Sequence, residues 1–139
     1  MKRNLLSIAA LSILLFLACS DDGGDTGPAV TLATITFEMD GFASGNGTIT
    51  TQIDNSIQTY DLALPFSQSF TQVPVTVGTF LSMEVTYTID CAVSPGVPDV
   101  CDQVAGNLRI EANGNILATG SVDSDLPNEP TTVTVEYTF

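Results

Sequence analysis

The chain of 139 residues has no histidine, no tryptophan and only three basic residues against sixteen acidic ones. Each of these lacks removes a class of chemistry. Without histidine, no Ser-His-Asp or Cys-His arrangement can be assembled. Lysine occurs only at Lys2, so the body of the chain offers neither a Schiff-base amine nor a Ser-Lys dyad. No segment has helical periodicity, so no glycine-rich phosphate loop can lead into a helix. Carboxylates alone could act as acid and base. A glycosidase-like pair would need two of them about 5 to 10 Å apart, whereas the acids here fall on the wet faces of alternating segments or in turns. The sequence therefore predicts a protein that is not an enzyme. Its formal charge of −13 repels nucleic acid phosphate and excludes DNA or RNA as a partner. No basic patch exists to hold anionic headgroups. The acidity itself favours solubility.

What is present is most specific at the amino end. Met1-Lys2-Arg3-Asn4 is a short cationic segment, and Leu5 to Leu17 is apolar except for Ser7 and Ser12. That run falls short of the roughly 20 residues a membrane-spanning helix needs and has the length of a signal-peptide core. It ends in Phe16-Leu17-Ala18-Cys19. A small residue followed by cysteine at this place resembles the lipobox of bacterial lipoproteins. The resemblance implies removal of residues 1–18, diacylglycerol on the Cys19 thiol, and a membrane partner engaged through that lipid, whose several chains anchor firmly. Ser20-Asp21-Asp22-Gly23-Gly24-Asp25 follows, acidic and without an apolar residue. Such a segment cannot order itself, so residues 19–30 read as the lipidated cysteine and a flexible tether. Serine and acids directly after the cysteine also resemble the surface-export signal of Bacteroidota lipoproteins. This implies an outer-membrane location facing the cell surface, with the periplasmic face as the alternative.

Removing the leader leaves roughly 120 residues, enough for one core. It also makes the chain two charges more negative, because Arg109 is then the only basic side chain. Residues 31–139 alternate with period 2. Ala33, Ile35, Phe37 and Met39 interleave with Thr34, Thr36, Glu38 and Asp40. Leu81, Met83, Val85, Tyr87 and Ile89 interleave with Ser82, Glu84, Thr86, Thr88 and Asp90. Val133, Val135, Tyr137 and Phe139 interleave with Thr134, Glu136 and Thr138. Each is a strand with one dry and one wet face, as in antiparallel sheet. Weaker strands are expected over 48–53, 57–64, 70–77, 104–112 and 116–122, separated by Gly, Pro and Asn-rich turns. Pro74 should interrupt its strand or lie at a sheet edge. About eight short strands predict an all-β, antiparallel two-sheet sandwich of immunoglobulin-like or jelly-roll type. Strand order is left open, and without tryptophan the immunoglobulin core signature is missing. The terminal Val133, Val135, Tyr137, Phe139 series also resembles the last strand of an outer-membrane barrel. Such barrels need strands of about 9 to 11 residues and aromatic girdles at both interfaces, whereas several strands here are shorter, tryptophan is absent and a lipid anchor would be redundant.

Asn113-Gly114 marks a hairpin with two candidate registers. A two-residue turn pairs Ala112 with Asn115 and places Ile116 and Ala118 on the wet face. A three-residue loop with a bulge at Gly114 pairs Glu111 with Asn115 and sets Ile110 against Ile116, Leu108 against Ala118 and Val104 against Val122. The second puts every apolar pair on one face and is the expected register, since a slip of one residue flips every side chain.

Cys91 and Cys101 form an even pair in an exported chain and are expected to be disulfide-bonded. The bridge would close a loop of about 11 residues and stiffen a segment rich in proline and glycine. A metal site on the two thiols would need further ligands of the right kind, and no histidine exists to join them. No cofactor is expected. Calcium is the one ion the acids could hold, with Asp123, Asp125 and Glu129 in one loop as candidate ligands and Asp90, Asp99 and Asp102 as a second group. Taken together, the sequence predicts a lipid-anchored, non-enzymatic cell-envelope module for binding, adhesion or an accessory role, with a protein or glycan ligand. The alternative is a periplasmic inhibitor or accessory subunit that docks on a cationic enzyme.

Overall fold

Alternation of β-branched and polar residues yields strands throughout. The computed structural model describes residues 29–92, 95–96, 99–123 and 129–139; the expected leader, Cys19 and most of the expected tether lie outside them. Eleven strands form: β1 (Thr31–Met39), β2 (Phe42–Ala43), β3 (Asn46–Ile53), β4 (Ser56–Asp61), β5 (Phe66–Val75), β6 (Phe80–Thr88), β7 (Cys91–Ala92), β8 (Val100–Cys101), β9 (Val104–Ala112), β10 (Asn115–Asp123) and β11 (Thr131–Thr138). Eight of them are long. The excess over the expected number comes from β2, β7 and β8, which have two residues each.

All ladders are antiparallel and build a two-sheet sandwich. One sheet has the order β10-β9-β1-β5, with β2 also on β9; the other is β11-β6-β3-β4; β7 and β8 make a separate ribbon. The two sheets share no ladder among the described residues, so the strands do not close into a barrel. Their inner faces meet in one core that includes Ile35, Phe37, Met39, Ile49, Leu81, Met83, Val85, Leu108 and Ile110, all fully buried. Each such side chain contributes about 1.5–3 kcal/mol relative to exposure. The outer faces carry hydroxyl pairs between neighbouring strands, Thr36 with Ser69 at 3.0 Å, Thr50 with Thr59 at 3.2 Å and Thr86 with Thr132 at 3.0 Å.

Pro74 lies on β5, an edge strand, where its missing N–H costs no ladder bond. A bulge interrupts β5 between the Ala33–Val73 and Ile35–Phe70 pairs, and Gln72 takes a φ of 57° there. The extra residue lets Phe70 and Val73, three apart in sequence, both turn inward.

The β9–β10 hairpin departs from the expected register. Ala112 pairs with Asn115, and both Asn113 (φ 51°) and Gly114 (φ 78°) are left-handed. This is a two-residue turn, which follows the right-handed twist of its strands. The register then shifts between Ile116 and Ala118. Leu117 is the extra residue of a bulge, Ala118 comes opposite Ile110, and Val122 is buried opposite Gly106. Ile116 is consequently 56% exposed rather than paired with Ile110, and Leu117 packs on the core instead of lying on the wet face. A tight turn and a dry inner face are both satisfied because the slip occurs within the strand.

Because the eight long strands run along one axis, the connections gather at two ends. The end where the chain enters at residue 29, called the tether end after the expected tether, holds residues 29–30, the Asp54–Asn55 and Asn113–Gly114 turns, residues 76–79 and Phe139. The opposite, distal end holds residues 40–45, 62–65, 89–92, 95–96, 99–103 and 129–130.

Candidate functional site

The distal end is built around an interruption of β1. Asp40 and Gly41 separate β1 from β2, yet both strands keep one register along β9, from Met39–Leu108 to Phe42–Ala105. The Asp40 N–H donates to the Asn107 carbonyl at 3.1 Å. In return the Asp40 carboxylate accepts from the Asn107 backbone N–H at 3.0 Å and side-chain amide at 3.1 Å. These bonds, the backbone one first, hold the Asp40 carboxyl below the ordinary carboxylate range. Gly41 and Gly106 face each other here. A Cβ on Gly106 would overlap the Asp40 carbonyl, and one on Gly41 would overlap that of Ala105. Beyond β2, the Ser44 N–H donates to the Gln103 carbonyl and the Gln103 N–H to the Ser44 hydroxyl, each at 2.9 Å. The chain then crosses to the other sheet as β3.

The β7–β8 ribbon projects from this corner. Cys91 pairs with Cys101 in register and a disulfide joins them. An Asp102 N–H to Asp90 carbonyl bond of 2.9 Å closes the base of the ribbon. Val100 on β8 and Phe42 on β2 stay exposed, at 69% and 53%.

Charge is distributed unevenly along the axis. Asp40, Asp61, Asp90, Asp99, Asp102, Asp123 and Glu129 belong to the distal end, whereas Asp54 is the one acidic side chain in the described connections of the tether end. Among the distal acids Arg109 acts on Asp40, but its direct partners lie elsewhere. It sits on the outer face of the β10-β9-β1-β5 sheet, bonds Glu38 and lies 3.7 Å from Glu111. The Glu38 hydrogen bond, then its charge, raises the guanidinium pKa further. An open polar concavity of about 570 Å³ adjoins it, lined by Asp40, Asn107, Arg109, Thr119 and Ser121 among others.

Of the residues singled out in the sequence, the structure brings Cys91 and Cys101 together as a bond. Cys19 lies outside the described residues, as does Asp125. Asp123 closes β10 and Glu129 stands exposed before β11. Among the described residues no three His, Cys, Asp or Glu side chains gather as a metal site requires. The calcium expectation therefore rests on a loop that includes Asp125. Sequence reasoning missed the Asp40–Asn107 corner and the apolar pair Phe42 and Val100. The signal for the corner was Asp40-Gly41, a turn dipeptide at the end of a strongly alternating strand. No family model matches the chain, and neither a curated protein nor a solved structure matches it.

Proposed function

We propose that this chain is a lipid-anchored, non-enzymatic binding module of the outer membrane, displayed at the cell surface, whose acidic distal end engages a basic patch on a protein partner. The observation that carries the reading is the segregation of charge: seven described carboxylates at the end remote from the anchor, one at the near end. Opposite charge raises association rates and sets orientation. Exposed Phe42 and Val100 amid these acids supply apolar contacts of the kind that slow dissociation. The disulfide limits the freedom that the ribbon would lose on binding.

The same charge pattern favours a second reading, a periplasmic inhibitor or accessory subunit on a cationic enzyme, which differs in the side of the membrane. Metabolic labelling with a fatty-acid analogue, with Cys19→Ala as control, tests the anchor. Proteinase shaving of intact cells then separates the two readings. Loss of label in the mutant and removal of the intact protein by shaving support surface display. Label retained in Cys19→Ala refutes the anchor, and resistance to shaving moves the module to the periplasmic side.

A further inference from the structure

The tether end is the chemical opposite of the acidic end. Val30, Leu32, Val77 and Ile116, between 56% and 87% exposed, all lie in its strand ends and connections. An open groove of about 360 Å³ lies at the same end, lined mostly by apolar groups of Ala29, Ala33, Val75, Val77, Ala112 and Phe139. Ala29 is where the chain arrives from the tether. The tether itself is an unsuitable occupant, because Ser20 to Pro28 carries three aspartates and no large apolar side chain.

We infer that this end seats on the membrane surface, with Val30, Leu32, Val77 and Ile116 entering the interface between headgroups and acyl chains. The inference rests on the lipid anchor proposed above. Ten residues from Cys19 to Ala29 reach at most about 35 Å. The anchor thus holds this end, rather than the other, within reach of the bilayer. This end carries fewer carboxylates than the distal one, Asp54 in its connections and Glu111 opposite Ile116, so anionic headgroups repel it less. Strands of nine residues place the acidic end about 30 Å further out, beyond the Debye length of about 8–10 Å. One arrangement accordingly keeps the acids clear of the membrane and presents them outward.

The absence of native tryptophan allows a direct test. Lipidated protein beginning at Cys19 and carrying Val77→Trp, Ile116→Trp or Val100→Trp is reconstituted in vesicles of phosphatidylethanolamine and phosphatidylglycerol, with and without brominated phosphatidylcholine. All three sites are exposed, so the substitutions leave the core untouched. Emission from Val77→Trp and Ile116→Trp should lose at least about half its intensity to the brominated lipid, as expected for side chains about 5–10 Å into the boundary; Val100→Trp should keep its intensity. Protein that floats with the vesicles but shows no quenching at Val77→Trp or Ile116→Trp overturns the seating alone. A blue shift at those sites without quenching assigns the cover to protein, a second copy included, and also overturns it. Protein that fails to float removes the anchor and the seating together.

Discussion

The two ends of the sandwich solve the same problem, returning strands into a sheet, by different means. At the tether end the turns are short, and each is tied to an adjoining strand by a single side chain. Asp54 receives the Phe80 N–H on its carboxylate at 2.8 Å. Asn113 receives the Thr34 N–H on its side-chain oxygen at 2.8 Å while its own N–H bonds the Thr34 carbonyl at 2.9 Å. Both residues have positive φ, which Asn and Asp tolerate better than other side chains. At the distal end the connections are longer, cross between sheets and carry the acids. A disulfide and a close glycine–backbone approach fix them instead. Short turns leave little surface to vary; long, covalently fixed connections can present a binding surface without loss of order.

Substitutions at the two ends should differ accordingly. The largest effect is expected at the distal corner, where Gly106→Ala would drive a Cβ into the Asp40 carbonyl. Denaturant unfolding should show a loss of about 3 kcal/mol or more, or no folded protein at all. A loss below about 1 kcal/mol would mean that the corner yields. Next comes the bridge. Replacing Cys91 and Cys101 together by alanine reopens a loop with a sequence separation of 10, worth about 2.7 kcal/mol on the chain-entropy account. Limited proteolysis of this double variant should cut first between residues 91 and 101.

At the tether end the expected effects are smaller and more residue-specific. Asn113→Ala removes both a tolerated left-handed residue and the bond to Thr34 and should cost about 1–2 kcal/mol. The bulge makes a paired demand in the same melts. Ile116→Asp, at an exposed position, should cost about 0.5 kcal/mol or less, while Leu117→Asp, against the core, should cost clearly more. The reverse order would return the hairpin to the register that apolar pairing alone suggests.

The smallest effect concerns acid. Asp40 has a folded-state pKa below its unfolded value, so its contribution is present above about pH 3.9 and fades as pH falls through the folded value. Asp40→Asn should leave the urea midpoint nearly constant between pH 7 and pH 5 relative to the unaltered chain, and should flatten the decline below pH 4.

Much of this fold was legible because period 2 survives burial. The segment 104–112 was expected as a strand and is β9 residue for residue. Pro74 was assigned to an interruption or an edge and lies on an edge. What was not legible turns on parity. In β5, Phe66 and Phe70 share one parity and Val73 and Val75 the other, and the bulge at Gln72 reconciles them. In β10 the expected register keeps Ile116 and Val122, which share one parity, on the inner face by placing the irregularity in the turn, whereas the chain places it at Leu117, so that Leu117 and Val122, of opposite parity, both turn inward. Local apolar pairing cannot tell where along a strand a slip occurs, because either position restores the inner face. The distal corner escaped for another reason. Its contacts join residues 67 apart in sequence, and no local pattern encodes that distance. The separation of charge between the ends became visible only when strand directions were known.

On the proposed function, the position of the acids rather than their number would make the distal end a contact surface. The most direct test is the association rate with a cationic probe, hen lysozyme, at low ionic strength. Two triple variants lose the same charge: Asp90→Asn with Asp99→Asn and Asp102→Asn at the distal end, and Asp54→Asn with Glu84→Gln and Glu136→Gln elsewhere. The account predicts that the distal set slows association by about tenfold or more, with a reduced salt dependence, and that the other set changes it by about twofold or less. Equal slowing by both sets would show that only net charge matters and would contradict the account.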